Sequence, residues 1–189
     1  TRKKWSQGAP YFLYVGALHP RKNLERLVRA FALFKKTQSS DIKLLIAGSA
    51  FWKNEGLQNA LNDVPDKNDV IFTNRLEETD LHAITASALA LTYVPYFEGF
   101  GIPLVEAMAC DVPIVSSDVT AMPEVAGDAA LYCDPFSVES IADALKKIAA
   151  DEVLRNQLVA NGRAQRAKFS WDKSADALWA SMVKTMDHA

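Results

Sequence analysis

Short apolar runs rich in β-branched and aromatic residues alternate along this chain with longer stretches of helical period, and no other feature constrains the fold as strongly. Strands covered on both faces read as continuous apolar runs, and strands separated by helices must run parallel, because the helix carries the chain back to the starting edge. Five segments read in this way: Tyr11–Val15, Lys43–Ala47, Val70–Thr73, Ala88–Tyr93 and Pro113–Ser116, with a sixth, less regular one at Ala130–Cys133. Between the first two, Leu24, Leu27, Val28, Phe31 and Phe34 recur at helical spacing behind Asn23, which stands at the N-cap position. The expected fold is therefore α/β, a Rossmann-like parallel sheet with helices on both faces.

After Asp134 and Pro135 the pattern becomes purely helical, with Ile141, Leu145 and Ile148 on one helix and Leu154 and Leu158 on the next. A final helix carries the apolar stripe Trp171, Ala175, Leu178, Trp179, Met182, Val183 and Met186, whose spacing favours a packing role over a sugar-stacking platform for Trp171 and Trp179. Residues 1–10 read as a polar segment or linker remnant, and 11–189 as one domain. Thr1 in place of an initiating Met fits a piece of a longer protein.

With 189 residues, 49% hydrophobic and 23% charged, the chain can bury a substantial core, which argues against disorder. A net charge of −2 and a pI near 5.9 provide no electrostatic footprint for nucleic acid. Cys110 and Cys133 sit in apolar contexts without metal-ligand spacing, so both are expected to be buried, reduced thiols. No apolar run approaches the ~20 residues of a membrane span. A cytoplasmic location is expected, with the inner membrane face as an alternative for a longer protein.

In an open parallel sheet the loops beyond the carboxyl ends of the strands form the ligand crevice. One such loop, Gly16 to Asn23, places Arg21 and Lys22 just ahead of a helix. Adjacent cations oppose the dipole at a helix N-terminus, and a bound phosphate would reconcile the two; a solvated basic loop is the equal alternative. A second loop, Tyr96-Phe97-Glu98-Gly99-Phe100-Gly101-Ile102-Pro103, has glycines where a backbone could approach a ligand and a proline suited to a first helical turn. Glu98 lies at its lip and Glu106 about one turn inside the helix. A diphosphate between them would leave each carboxylate to accept hydrogen bonds from sugar hydroxyls. The alternative is that both acids merely complement the helix dipole.

The segment EGFGIPLVE, with glutamates at 98 and 106, resembles the E-x7-E motif of family 4 retaining glycosyltransferases. GALHPRKN resembles that family's phosphate-binding loop, PIVSSDVTAMPEVAGDAALYCDP its next strand–loop–helix, and FSWDKSADALW its closing helix. The resemblance runs from Tyr11 to Met182 and implies the C-terminal, donor-binding half of a GT-B enzyme, with a separate N-terminal acceptor-binding domain as its partner. It implies that Lys22 binds the donor diphosphate, that Glu98 contacts hydroxyls of the transferred sugar, and that Glu106 binds ribose. Gly16 and backbone groups of Gly99, Phe100, Gly101 and Ile102 would support phosphates and sugar, and Asn74, Arg75 and Leu76 would cradle the base. Many members carry Arg after the first glycine, where this sequence has Ala17; Arg21 is the candidate replacement.

Glu98, Lys22 and Arg21 are thus the expected catalytic set. Transfer through an oxocarbenium-like state builds negative charge on the leaving diphosphate, which the two cations would stabilise. The sequence contains no Asp-x-Asp pair, and neither a metal nor another cofactor is expected; the nucleotide sugar is the substrate. His19 reads as a solvent-facing loop residue, and His82 and His188 as helix-surface residues. Met108 and Met122 read as core fillers, and Ser116-Ser117-Asp118 as a strand-end turn. A noncatalytic nucleotide-binding module and part of a GT-B nucleotide-sugar epimerase remain as rival functions.

Overall fold

A computed structural model describes residues 1–49 and 55–186. Strands β1 (Tyr11–Val15), β2 (Lys43–Ala47), β3 (Val70–Asn74), β4 (Ala90–Tyr93), β5 (Ile114–Ser117) and β6 (Ala130–Cys133) form one sheet in the order β3-β2-β1-β4-β5-β6. Every neighbouring pair is parallel, so the fold is the Rossmann-like α/β architecture that the alternation of runs predicts. The chain winds outward from β1 to β3, then returns across the sheet and winds the other way from β4 to β6. β1 and β4 are therefore neighbours although far apart in sequence, and their outgoing loops diverge at the point where the strand order reverses.

The helices are α1 (Arg2–Ser6), α2 (Leu24–Thr37), α3 (Glu55–Asn62), α4 (Glu78–Ala86), α5 (Ile102–Ala109), α6 (Met122–Ala126), α7 (Val138–Ala150), α8 (Glu152–Arg166) and α9 (Trp171–Met186). Helix α2 contacts α3 and α7, while α5 contacts α4, α6 and α8, which makes two helical layers around the sheet. The first layer docks through aromatic edges: Phe12 of β1 meets the Phe31 and Phe34 rings of α2 at 6.5 and 5.6 Å. The inner strands are buried on both faces, whereas β3 and β6 at the sheet edges are only half covered. Burial on both faces is why the inner strands read as unbroken apolar runs.

Several expectations are corrected. β4 begins at Ala90 rather than Ala88, because the Ala88 N–H still closes the last turn of α4 on Thr85 O. β5 begins after Pro113, which has no N–H for the ladder, and continues through Ser116 and Ser117, which pair with Tyr132 and Cys133 instead of forming a turn. Met108 and Met122 are in the core as expected, and Cys133 is buried, but Cys110 is only half-buried; both thiols are free. Segment 1–10 contains α1, whose Trp5 packs against the core and whose Lys4 pairs with Asp80 at 2.9 Å.

The largest departure is α9. None of its residues is buried, and Trp171, Leu178, Trp179 and Met186 are between 64% and 84% exposed. The stripe is real as a helical pattern, but its apolar face meets solvent and not the core of this chain. His82 is exposed, as expected, while His188 lies outside the described residues. No described helix is long and apolar enough to cross a membrane.

The core and the tail should consequently respond very differently to substitution. Leu45→Ala, in the fully buried centre of β2, is expected to cost ~2–5 kcal/mol. Leu178→Ser and Trp179→Ser in α9 should each change stability by less than ~0.5 kcal/mol. Urea unfolding of the three variants followed by circular dichroism checks this, and a large loss from the α9 variants would mean that the stripe is packed after all.

Candidate functional site

The β1 ladder to β4 ends earlier than its ladder to β2. β1 pairs with β2 through Val15 and Ala47, but with β4 only through Phe12–Ala90 and Leu13–Leu91. At the last paired position the Thr92 hydroxyl also donates to Leu13 O at 3.2 Å. Beyond it the two loops lie side by side: Tyr96 N–H donates to Arg21 O at 3.2 Å, and the Arg21 guanidinium to Phe97 O at 3.3 Å.

Asn23 holds these loops together. Its backbone is left-handed, with φ 62° and ψ 27°, a conformation that Asn tolerates. Its amide does not cap α2; buried, it donates to Val94 O at 3.0 Å and Pro135 O at 2.7 Å, and its oxygen accepts from Arg26 at 3.1 Å. The expected capping role is thereby replaced by a three-way tie between the loops after β1, β4 and β6. The preceding residues Pro20–Lys22 form one turn of 3-10 helix. His19 caps it through Nδ1, which accepts from Arg21 N–H at 3.2 Å, and is half-buried rather than fully solvent-facing.

This frame brings Arg21, Lys22 and Glu98 into one cluster. Lys22 Nζ is in direct hydrogen-bonded contact with Glu98 Oε2, and Arg21 reaches the same oxygen at 3.0 Å. Tyr93, at the end of β4, donates its hydroxyl proton to that oxygen at 2.9 Å and also contacts Lys22 Nζ. Lys22 lies 5.0 Å from the Tyr93 ring centre, and the Tyr93 ring stacks near that of Tyr14, 6.3 Å away. Burial works against ionisation of Glu98, but the hydrogen bonds from Lys22, Tyr93 and Arg21 outweigh it and hold the carboxyl at about 2, against 4.5 ordinarily. Burial, together with the Glu98 charge, pushes the Tyr93 phenol up, so Tyr93 stays a neutral donor. Two cations facing one carboxylate leave an excess positive charge. Glu98 is therefore engaged where the sequence reading leaves it open.

A crevice of about 640 Å³ is bounded by Gly16 and Ala17 after β1, Gly48 and Ser49 after β2, Arg75, Leu76 and Glu77 after β3, and Glu106 of α5; the cluster residues do not line it, and Tyr14 links the two by stacking on Tyr93 and donating to Ala17 O. Among the described residues, the Glu106 carboxylate takes no hydrogen bond or ion pair. Glu106 thus contrasts with Glu98, although both belong to the same motif. Asn74 is not part of the lining: left-handed at φ 59°, it accepts the Gly48 N–H through its carbonyl at 3.0 Å and shapes the loop from below. Gly48 stands so close to Gly16 that a Cβ would strike the Gly16 carbonyl, a constraint not evident from the sequence.

Gly101, at φ 92°, is the N-cap of α5, and a Cβ there would come within 2.7 Å of the Met122 side chain. Gly99 faces open space. Phe100 and Ile102 line a second hollow of about 530 Å³ by Trp171, which shares Glu106 with the crevice and in which Phe100 meets Phe169 edge-on at 5.7 Å. Neither Phe100 nor Ile102 lines the crevice between the β1, β2 and β3 loops. Among the described residues, no group of His, Cys, Asp and Glu could hold a metal ion.

Comparison with known proteins places this geometry. The family described as Glycosyl transferases group 1 matches residues 1–165. The chain belongs to this family. It is 34% identical over 162 residues to O-antigen chain mannosyltransferase B of Escherichia coli, covering 86% of this chain and 42% of that protein. It is 35% identical over 138 residues to O-antigen chain mannosyltransferase RfbU of Salmonella typhimurium, covering 73% and 38%. The chain thus spans less than half the length of these curated relatives. Among solved structures, sucrose-phosphate synthase from Thermosynechococcus elongatus superimposes with a TM-score of 0.83 at 25% identity, covering 96% of this chain and 46% of that one. Anabaena HepE, solved in complex with UDP and glucose, shares the fold with a TM-score of 0.81 at 17% identity over 95% and 49% of the two chains. This group 1 glycosyl transferase domain has the fold of one half of a GT-B enzyme.

Two outcomes follow from the geometry. The folded state prefers ionised Glu98 more strongly than the unfolded chain does, so the stability this provides is complete above pH 4.5 and is lost as pH falls toward 2. Glu98→Gln should therefore flatten the stability profile between those values, as measured by denaturant unfolding at stepped pH. Asn23→Ala should remove the donor to two buried carbonyls and cost ~1–3 kcal/mol for each one left unsatisfied. Its thermal unfolding, compared with that of the parent chain, checks this.

Proposed function

We propose that this domain binds the donor of a retaining sugar transferase, a nucleotide-diphosphate sugar whose glycosyl group passes to an acceptor such as a polysaccharide or lipid-linked glycan. One observation carries the reading: the Arg21–Lys22–Glu98 cluster is joined through Tyr93 and Tyr14 to Ala17, which lines a crevice that also reaches Glu106. Excess positive charge suits a diphosphate, and a crevice of about 640 Å³ accommodates a nucleoside. In this reading the base lies against Arg75 and Leu76, the ribose hydroxyls donate to Glu106, and the transferred sugar meets Glu98. The motif spacing supports assignment to family 4, and the names of the relatives support a mannosyl donor.

Transfer breaks the bond from the anomeric carbon to the terminal phosphate oxygen, and the electron pair stays on the diphosphate. The acceptor hydroxyl oxygen bonds to the anomeric carbon, and its proton passes to an oxygen of the departing diphosphate. Lys22 and Arg21 stabilise the leaving charge, a form of electrostatic catalysis that needs preorganised cations near the departing oxygen. The acceptor would sit on the remainder of the protein, a facing N-terminal domain, and the solvent-facing stripe of α9 is a surface such a domain could cover. Location in the cytoplasm, or at the inner face of the membrane in the whole enzyme, fits a donor of this class.

Calorimetric titration with ADP, CDP, GDP and UDP, and then with the matching nucleotide sugar, tests the reading. Glu106→Ala should weaken nucleoside diphosphate binding by ~1.5–3 kcal/mol. Glu98→Ala should leave the plain diphosphate undiminished, since its loss frees two cations, yet weaken the sugar-bearing donor. If the parent chain and both variants bind all ligands alike, the glutamates serve the helix and not the donor.

A further inference from the structure

Lys22 and Glu98 stand on loops, whereas Tyr93 stands at the end of an inner strand. The Tyr93 ring is buried beneath both side chains, and β4 is paired on one side with β1 and on the other with β5. The Tyr93 hydroxyl is the point at which the two loops meet: its proton goes to Glu98 Oε2 at 2.9 Å, and its lone pair faces Lys22 Nζ. A hydroxyl is the one side-chain group that can accept from an ammonium and donate to a carboxylate through a single atom. Lys22 further lies over the ring face, 5.0 Å from its centre. The ring itself is fixed by Tyr14, which is tied down by donating to Ala17 O at 2.9 Å.

We infer that Tyr93 is a positioning residue, which registers the Lys22 ammonium and the Glu98 carboxylate against the rigid floor of the sheet for the arriving donor. The inference rests on the proposed donor site. It adds that both flexible members owe their placement to one phenol. When a diphosphate takes up Lys22 and the sugar takes up Glu98, Tyr93 holds its place and keeps a hydrogen bond for each. The phenol neither gives nor takes a proton in this role, in keeping with its neutral state at ordinary pH.

Tyr93→Phe removes the hydroxyl and keeps the ring, its stack on Tyr14 and the face beneath Lys22. Carbon-detected NMR titration of the Glu98 carboxyl needs no ligand and reads the contact directly. The midpoint should move upward by at least half a pH unit in Tyr93→Phe, because one of the donors holding the carboxylate is lost. A structural role alone would lower the melting temperature without moving that midpoint, and an unmoved midpoint overturns the proposal. A double-mutant cycle reads the Lys22 side, using the nucleoside diphosphate among ADP, CDP, GDP and UDP that gives the largest thermal shift. Tyr93→Phe should weaken its binding about three- to tenfold in the parent chain and have no further effect in Lys22→Met. Full additivity of the two substitutions overturns the proposal. If Lys22→Met alone leaves binding unchanged, the donor-site reading fails, whatever Tyr93 does to the Glu98 titration.

Discussion

Everything at the functional edge depends on where the β1–β4 ladder stops. The two strands pair through Phe12–Ala90 and Leu13–Leu91, where the Thr92 hydroxyl also donates to Leu13 O, and then the chains part. If pairing ran on to Val15, the loops would leave the sheet at one level and the floor of the crevice would be closed by backbone. A switch in strand order supplies the divergence. The loops released there are then drawn together again by Asn23, so that the gap is opened by the sheet and its width is set by one buried amide.

The cluster of Arg21, Lys22, Glu98 and Tyr93 shows how neighbouring cations can be held stably ahead of a helix. Two adjacent cations at a helix N-terminus would repel one another and oppose the helix dipole. Glu98 relieves both effects, and the low ionisation point of its carboxyl is the electrostatic record of that relief. Compensation is incomplete by one charge, and this matters as much as the relief: a site fully neutralised by its own side chains would have little attraction left for a ligand. Glu106, outside this network, faces the crevice without such compensation, and the two glutamates of one motif have opposite electrostatic surroundings.

Much of this was legible in the residues. Continuous apolar runs located the strands because inner strands of a parallel sheet are covered on both faces, and the loops at the carboxyl edge followed from that topology. Arg21, Lys22 and Glu98 were identifiable because charge beside glycine at a helix start is an unusual pattern. Tyr93 was not, since a tyrosine inside an apolar run reads as core, and its hydroxyl becomes part of the site only when β1 and β4 are placed side by side. Asn23 misled for a related reason: its position is that of a cap, and its long-range partners at Val94 and Pro135 are invisible at local range. The stripe on α9 gave the correct helix and the wrong neighbour, because periodicity reveals that a face is apolar and is silent about what lies against it.

That helix divides the chain into two energetic regimes. The amides of the inner strands are locked by parallel ladders and by side chains with no solvent exposure, so they exchange only when the whole domain opens. A helix of 16 residues with no buried side chain has little beyond its own backbone hydrogen bonds to hold it, and helices of that length are marginal in water. Amide exchange in α9 is therefore expected to be faster than in the inner strands. Whatever surface covers its tryptophans would supply the burial the helix lacks, so that docking and helix formation become one cooperative event.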